Sequence, residues 1–279
     1  MPIVLGTMTV IGQDITLIFA LVIMFAIFAI SNMQSSFFRH RESAMDRSFS
    51  HRLVVYVFSN TDAEYINNLK FFVREGVVED AFTYYLIVIN SDEHLILPEL
   101  TTTNARYMYH KNEGFDFGSF GHAMNNTERM HRFRYFLFLN SSIRGPYLPV
   151  YVRGKVRWED LFIAKLNQEV KLVGATISCE AATNDGSREL RVNPHVQSYV
   201  MATDRAGLDV LLDAGVFAKY DKLSDTVFHS ELGSSKAILD AGYQLDSFMT
   251  RYQGVRWSDT RNWGCNKRLM LHLHQIRPE

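Results

Sequence analysis

The chain has 279 residues, 47% of them apolar and 21% charged, which suits one large folded domain and excludes a disordered chain. A formal net charge of −1 excludes binding that depends on a basic surface excess, so no nucleic-acid partner is expected. The two cysteines, Cys179 and Cys265, match no metal-ligand spacing; they either pair in an oxidising compartment or stay as buried thiols.

From Ile15 to Ile30 the sequence reads ITLIFALVIMFAIFAI, with Thr16 as its only polar residue. A helix of that length spans roughly 24 Å, slightly short of a hydrocarbon core of about 30 Å, and residues 31–33 can extend it. A transmembrane signal anchor over residues 15–33, after a short tail at 1–14, fits best. A cleaved signal peptide competes through the small-x-small site Ala29-Ile30-Ser31, but no basic stretch precedes the apolar run. A buried core helix fits least, because no amphipathic face is left to meet water. Arg39, Arg41 and Arg47 follow the span and no Lys or Arg precedes it, so the positive-inside tendency by itself places the globular part in the cytoplasm.

Residues 34–52 read as a polar stem, and 53–279 as the globular domain. Leu53–Ser59 and Tyr85–Asn90 are short apolar runs, the pattern of strands buried on both faces. Between them Ala63–Glu75 carries Tyr65, Leu69, Phe72 and Val73 at helical spacing behind Asp62 as N-cap. Arg106–His110 reads as a strand, Phe117–Met130 as a helix, and Tyr135–Asn140 (YFLFLN) as the clearest strand. Trp158–Leu166 reads as a helix, and Leu172–Ser178 and Val196–Ala202 as strands. Arg205–Ala214 and Glu231–Ala241 read as helices, the second stopped by Gly242. Alternation of strand and helix implies an α/β fold with a doubly wound, mostly parallel sheet. The polar stretch Cys179–Pro194 reads as an active-site loop or lid.

No GxGxxG, Walker loop, GxSxG elbow or HExxH is present, so polar clusters at strand ends carry the chemistry. The first, Asn112-Glu113-Gly114-Phe115-Asp116-Phe117-Gly118-Ser119, follows a strand and opens a helix. Gly114 and Gly118 permit tight backbone geometry, and Asp116 can accept hydrogen bonds from two sugar hydroxyls or merely cap the helix. The second cluster, Asn140-Ser141-Ser142-Ile143-Arg144-Gly145-Pro146, closes the clearest strand. It is either a phosphate or metal site or an ordinary turn. Asn140 and Ser142 offer a cation only neutral oxygens, while Arg144 can neutralise phosphate.

These two clusters, followed in order by His195-Val196-Gln197-Ser198, Thr203-Asp204, Gly207-Leu208, Glu231-Leu232-Gly233-Ser234, Gly242-Tyr243 and Trp263-Gly264-Cys265-Asn266, resemble the rhamnan-synthesis-type glycosyltransferases and their eukaryotic membrane-anchored relatives. The resemblance runs from about Leu53 to Asn266. It implies a GT-A-like fold that moves a sugar from a nucleotide-sugar donor to a hydroxyl of a glycan acceptor. Asn112, Gly114 and Asp116 would then lie at the nucleotide. Asn140, Ser141 and Ser142 would occupy the position where such enzymes carry a DxD motif for Mn²⁺ or Mg²⁺ at the diphosphate. No DxD occurs in this chain, so a metal lacks its usual ligands. His195 and Gln197 would face the acceptor.

One carboxylate or histidine must take the acceptor proton in an inverting transfer. Glu231 at an expected helix start, His195 and Asp116 are the candidates; the first two could equally be a helix cap and a structural histidine. A catalytically inactive glycan- or nucleotide-binding relative is the rival reading. The resemblance also places the domain in the lumen of the Golgi or ER, against the arginines, and Asn125-Asn126-Thr127 is a glycosylation sequon there.

Overall fold

The computed structural model describes residues 51–92, 95–179 and 194–265. The expected anchor, nearly all of the stem, the body of the expected lid at 180–193, and the chain from Asn266 onward lie outside the described residues. Among the described residues no helix is long and apolar enough to cross a membrane.

Among the described residues there are nine strands: β1 (Arg52–Ser59), β2 (Thr83–Asn90), β3 (Ala105–His110), β4 (Tyr135–Asn140), β5 (Val170–Gly174), β6 (Ile177–Ser178), β7 (His195–Val196), β8 (Val200–Asp204) and β9 (Gln244–Ser247). Seven of them form one sheet in the order β3-β2-β1-β4-β8-β5-β9, while β6 and β7 pair separately. In the large sheet β8 alone runs against its neighbours β4 and β5, so the sheet is mostly parallel, as expected.

The apolar runs become central strands because both faces are covered. Leu53, Val55 and Val57 point into one core, and Val54, Tyr56 and Phe58 into the other. The first core is closed by α2 (Phe115–Asn125), α4 (Arg205–Asp213) and α6 (Gly233–Asp240), through Phe117, Phe120, Leu208, Leu211 and Ile238. The second is closed by α1 (Tyr65–Glu75) and α3 (Trp158–Ile163), through Leu69, Phe72, Trp158 and Phe162. A glycine permits the close approach of α2: a Cβ at Gly121 would collide with the carbonyl oxygen of Phe217.

Several boundaries differ from those read in the sequence. The helix expected to reach Met130 stops at Asn125, where Asn126 Nδ2 donates to His122 O (2.8 Å) and Thr127 Oγ1 to Ala123 O (2.7 Å). These side chains take the last-turn carbonyls that a longer helix would use. The helix expected to reach Leu166 likewise ends at Ile163. Leu172–Ser178 is not one strand but β5 and β6, and Val196–Ala202 divides into β7 and β8. At the break, Gly174 packs so tightly on the Val196 side chain that no Cβ fits there, and the chain leaves the main sheet. Asp62 does not cap α1, whose N-cap is Glu64; its Oδ1 accepts from Glu64 N (2.8 Å) in the turn before the helix.

The largest correction concerns Glu231. The helix it was expected to begin already starts at α5 (Leu223–Asp225), passes through a π-helical segment (Thr226–Leu232) and continues as α6. Glu231 therefore sits inside the helix, away from the positive end of its dipole. The stop at Gly242 is as expected: with φ of 83° it sends its N–H to Leu239 O, and Tyr243 sends its own to Ile238 O, both at 3.0 Å.

Beside the second core, Glu159 is fully buried yet bonded by Arg157 and Tyr85, and Arg157 also pairs with Asp80. Asp160, in the first turn of α3, is partly exposed and pairs with the buried Arg52 at 2.8 Å.

Cys179 and Cys265 form a disulfide across 86 residues, which decides between the two readings of the cysteines. Reducing it should lower stability by roughly 2–5 kcal/mol, because a long loop is released in the unfolded chain. Urea denaturation of the full chain with and without dithiothreitol checks this; coincident midpoints would contradict it.

Candidate active site

β1, β2, β3 and β4 are mutually parallel, so their C-terminal ends lie along one edge of the sheet. Strand order runs outward from β1 through β2 to β3 on one side and to β4 on the other. The crevice between the ends of β1 and β4 is thus a topological switch point, where open α/β sheets bind ligands. Ser59 at the end of β1 meets Ser141 just beyond β4, with the two Oγ atoms 3.3 Å apart. Asn68 of α1 donates to Ser141 O at 3.0 Å and fixes that turn.

Over these ends lies a cavity of about 600 Å³. Strand ends contribute Ser59, Asn90, Asn140, Ser141 and Ser142; the segment leading into α2 contributes Asn112, Phe115 and Asp116; the π-helical segment contributes Thr226, Val227 and Glu231. Two clusters and one carboxylate picked out in the sequence are thereby brought together from three distant parts of the chain. π-Helical turns recur at functional sites because the extra residue re-aims the side chains that follow.

Asp116 is the electrostatic centre. Its Oδ2 accepts from Asn140 Nδ2 at 2.8 Å. Burial pushes its carboxyl from 3.8 up to about 6; the Asn140 bond pulls the other way and the Glu231 charge adds to the rise. Asn140 is committed on both sides, because its Oδ1 accepts from Ser142 N (3.1 Å) and Ser142 Oγ (2.5 Å). Gly114 (φ 76°) and Phe115 (φ 55°) are both left-handed and lead the chain into α2, and no side chain caps that helix. A non-glycine residue with positive φ is a local strain held by its surroundings, and such strain concentrates at functional sites.

The sequence reading missed two groups. Asn90 is 2% exposed, lines the cavity, and its Oδ1 has no hydrogen-bond partner. The Tyr56 hydroxyl, buried within β1, is likewise unpartnered; burial and the nearby Asp116 charge push its pKa up. The only available signal was a polar atom inside or closing an apolar run (LVVYVFS, YLIVIN).

Four expected residues do not line the Asp116 cavity, Gly114 at the left-handed turn into α2 being one of them. Arg144 lies with its guanidinium 5.1 Å from the Phe71 ring centroid and borders a separate apolar cavity of about 240 Å³ with Trp158, Phe162 and Phe248. His195 is buried in β7 and borders a third cavity. Gln197 accepts from Thr176 Oγ1 at 2.6 Å, and its neighbour Ser198 lines the Asp116 cavity instead. Among the described residues no Lys or Arg lines that cavity.

The position expected to hold Mn²⁺ or Mg²⁺ does not fit a divalent cation. Such ions require several oxygens, carboxylates foremost, and the one suitable Asn140 oxygen already accepts two hydrogen bonds. Among the described residues no group of three or more His, Cys, Asp or Glu side chains is placed to hold a metal.

No family model matches the chain, and no curated protein matches its sequence. Among solved structures it is similar to the mannosyltransferase PcManGT from Pyrobaculum calidifontis, solved in complex with GDP-Man and Mn²⁺: 14% identity, TM-score 0.42, covering 72% of this chain and 56% of that one. It is also similar to the glycosyltransferase GlyE of Streptococcus pneumoniae TIGR4: 15% identity, TM-score 0.36, covering 82% of this chain and 52% of that one. The chain thus spans about half the length of the solved structures it matches.

Burial of Asp116 has a measurable consequence. Its folded-state value lies above the unfolded one, so between about pH 4 and 6 the native state keeps a proton that the unfolded chain has lost. Stability from this group is full below that window, falls through it and stays low above it. Asp116→Asn should therefore raise stability at pH 7–8 by roughly 1–3 kcal/mol and leave it unchanged below about pH 4. Urea denaturation of both proteins from pH 4 to 8 checks this; an equal or less stable variant at pH 7 would contradict it.

Proposed function

We propose that the chain is a glycosyltransferase that moves a sugar from a nucleotide-sugar donor to a glycan hydroxyl at the Asp116 cavity. The observation that carries the reading is the pairing, at the β1/β4 switch point, of a desolvated carboxylate (Asp116) with a second one (Glu231) and an unsatisfied buried amide oxygen (Asn90). Two carboxylates in one cleft can divide the work of holding a hydroxyl and removing a proton. A buried acceptor without a partner calls for a donor from the ligand.

In this reading Asp116 Oδ1 receives a donor hydroxyl while Oδ2 stays with Asn140. Asn90 Oδ1 receives an N–H of the nucleobase. The uncapped start of α2 supplies backbone N–H groups to the diphosphate, for which the cavity has no Lys or Arg. Glu231 takes the proton of the acceptor hydroxyl as its oxygen bonds to the sugar C1, and the C1–O bond to the nucleoside diphosphate breaks. No step passes through a metal, since the donor set does not fit one.

A second reading is favoured by one specific observation: among the described residues the cavity offers a diphosphate neither a cationic side chain nor a carboxylate cluster to hold a metal. A catalytically inactive relative that binds a nucleotide or glycan fits that arrangement. The two readings separate in a screen of UDP-, GDP- and dTDP-sugars, with added Mn²⁺ and with EDTA. The transferase reading expects donor turnover that survives EDTA and falls at least 100-fold in Asp116→Ala and Glu231→Gln. Asn90→Leu should raise the donor KM about 10-fold or more with little change in kcat. Donor binding without turnover under every condition would select the inactive relative.

We also place the domain in an oxidising lumen, anchored by residues 15–33. The Cys179–Cys265 disulfide supports that side of the membrane against the three arginines. Asn125 of the sequon is exposed at the end of α2 and accessible to a glycan. A mobility shift on glycosidase treatment of the protein from cells, lost in Asn125→Gln, is the expected result. Cleavage of the globular domain by a protease added on the cytoplasmic side would refute the placement.

A further inference from the structure

His195 and Trp263 both lie outside the Asp116 cavity, yet they border one another's cavity, a separate space of about 260 Å³. Its wall is the same long helix. Thr226, Val227 and Glu231 of that helix face the first cavity, whereas Leu232, Lys236, Leu239 and Asp240 face the second. The spacing of the latter four is one helical stripe.

The chemistry of the lining is divided. Leu232 and Leu239 are aliphatic, and the Trp263 indole donates its Nε1–H to Trp257 O at 2.8 Å, so what it offers the cavity is hydrocarbon ring. The rest of the lining includes hydroxyls and one ion pair. Ser258 is set in place by the buried Gln244, whose Nε2 donates to Ser258 Oγ (2.9 Å) and whose Oε1 accepts from Ser258 N (3.3 Å) and Trp257 N (2.9 Å). One buried amide thus positions the hydroxyl and the backbone that holds the indole. Thr260 adds a second hydroxyl. Lys236 and Asp240 pair with each other, which leaves the rim without net charge.

A cavity bordered by a flat apolar ring, fixed hydroxyls and a neutral pair of ionic donors and acceptors suits a ligand with one C–H face and one hydroxyl edge. A charged ligand would break the Lys236–Asp240 pair without a compensating partner. The volume lies just below the range for drug-sized ligands, which limits the occupant to a small unit. We propose that this cavity is a second binding site, taking one neutral sugar unit of a glycan, apart from the cavity of Asp116. The assignment does not depend on turnover at Asp116, and its test reads binding alone.

The experiment uses the full chain in a detergent without a sugar headgroup, titrated with maltotriose, mannotriose, cellotriose and chitotriose. Trp158 and Trp257 are buried and Trp263 is not, so tryptophan fluorescence reports chiefly on this cavity. At least one trisaccharide should shift the emission saturably in the millimolar range, with saturation-transfer NMR showing one sugar unit in contact. Trp263→Ala should abolish the shift. The double variant Lys236→Ala/Asp240→Ala, altered only at exposed positions, should weaken NMR-detected binding at least 10-fold with the fold intact. Nucleotide binding at Asp116 should be the same in all variants. Saturation by none of the four sugars, tighter binding of glucuronic acid or glucosamine controls, or wild-type binding by the double variant would overturn the assignment.

Discussion

β1 hydrogen-bonds in parallel to β2 on one side and to β4 on the other, and the chemistry of the domain is built on that pairing. Parallel neighbours end on the same edge, so residues that close three separate apolar runs, Ser59, Asn90 and Asn140, converge there. The register decides which polar atoms meet. Ser59 stands opposite Asn90, and Val57 opposite Asn140, so β4 ends lower than β1 and its next residues turn across the crevice. That turn carries Ser141 into contact with Ser59 and leaves Asn140 to meet Asp116. A slip of one residue would exchange the two cores on every strand, which the apolar side chains on both faces forbid.

The carboxylate of Asp116 shows what the domain forgoes in stability to hold such a site. Withdrawal from water raises its proton affinity by more than the Asn140 hydrogen bond offsets, and the neighbouring charge of Glu231 adds to the rise. A fold selected for stability alone would hold an amide or an apolar group at this position. The same logic applies to Tyr56 of β1 and Asn90 of β2, whose oxygens are buried without partners. The buried Glu159 contrasts in part. It is more deeply enclosed, and Arg157 and Tyr85 answer its Oε1 while its Oε2 has no hydrogen-bond partner; these bonds join α3 to β2.

Strands were the most legible part of the sequence, because burial on both faces writes itself as an uninterrupted apolar run. YFLFLN matches β4 residue for residue. Helix ends were less legible where a side chain acts on the backbone. Asn126 and Thr127 look like ordinary residues of a continuing helix, but their bonds to His122 and Ala123 close it. The two divided strands depended on a contact between Gly174 and Val196 that is distant in sequence, and propensity carries no trace of such a contact. At the site, Asp116, Asn140 and Glu231 were legible as polar residues near element ends. Their mutual arrangement was not, since a π-helical segment inside a longer helix sets where Glu231 points. Arg144 was misplaced for a comparable reason: Phe71 offers its guanidinium a ring face away from the cavity.

The amide at position 140 has a further consequence for charge. Its Nδ2 stands 2.8 Å from Asp116 Oδ2, so a carboxylate in its place would put two acceptors at hydrogen-bond distance. Two such groups cannot both ionise without a cation between them; they would share a proton or recruit a metal. With Asn140 the contact becomes donor to acceptor, so Asp116 can ionise there without a cation between two carboxylates. In the proposed reading a diphosphate bound beside it relies on backbone dipoles at the start of α2, whose left-handed Gly114 and Phe115 leave that helix start free of a capping side chain.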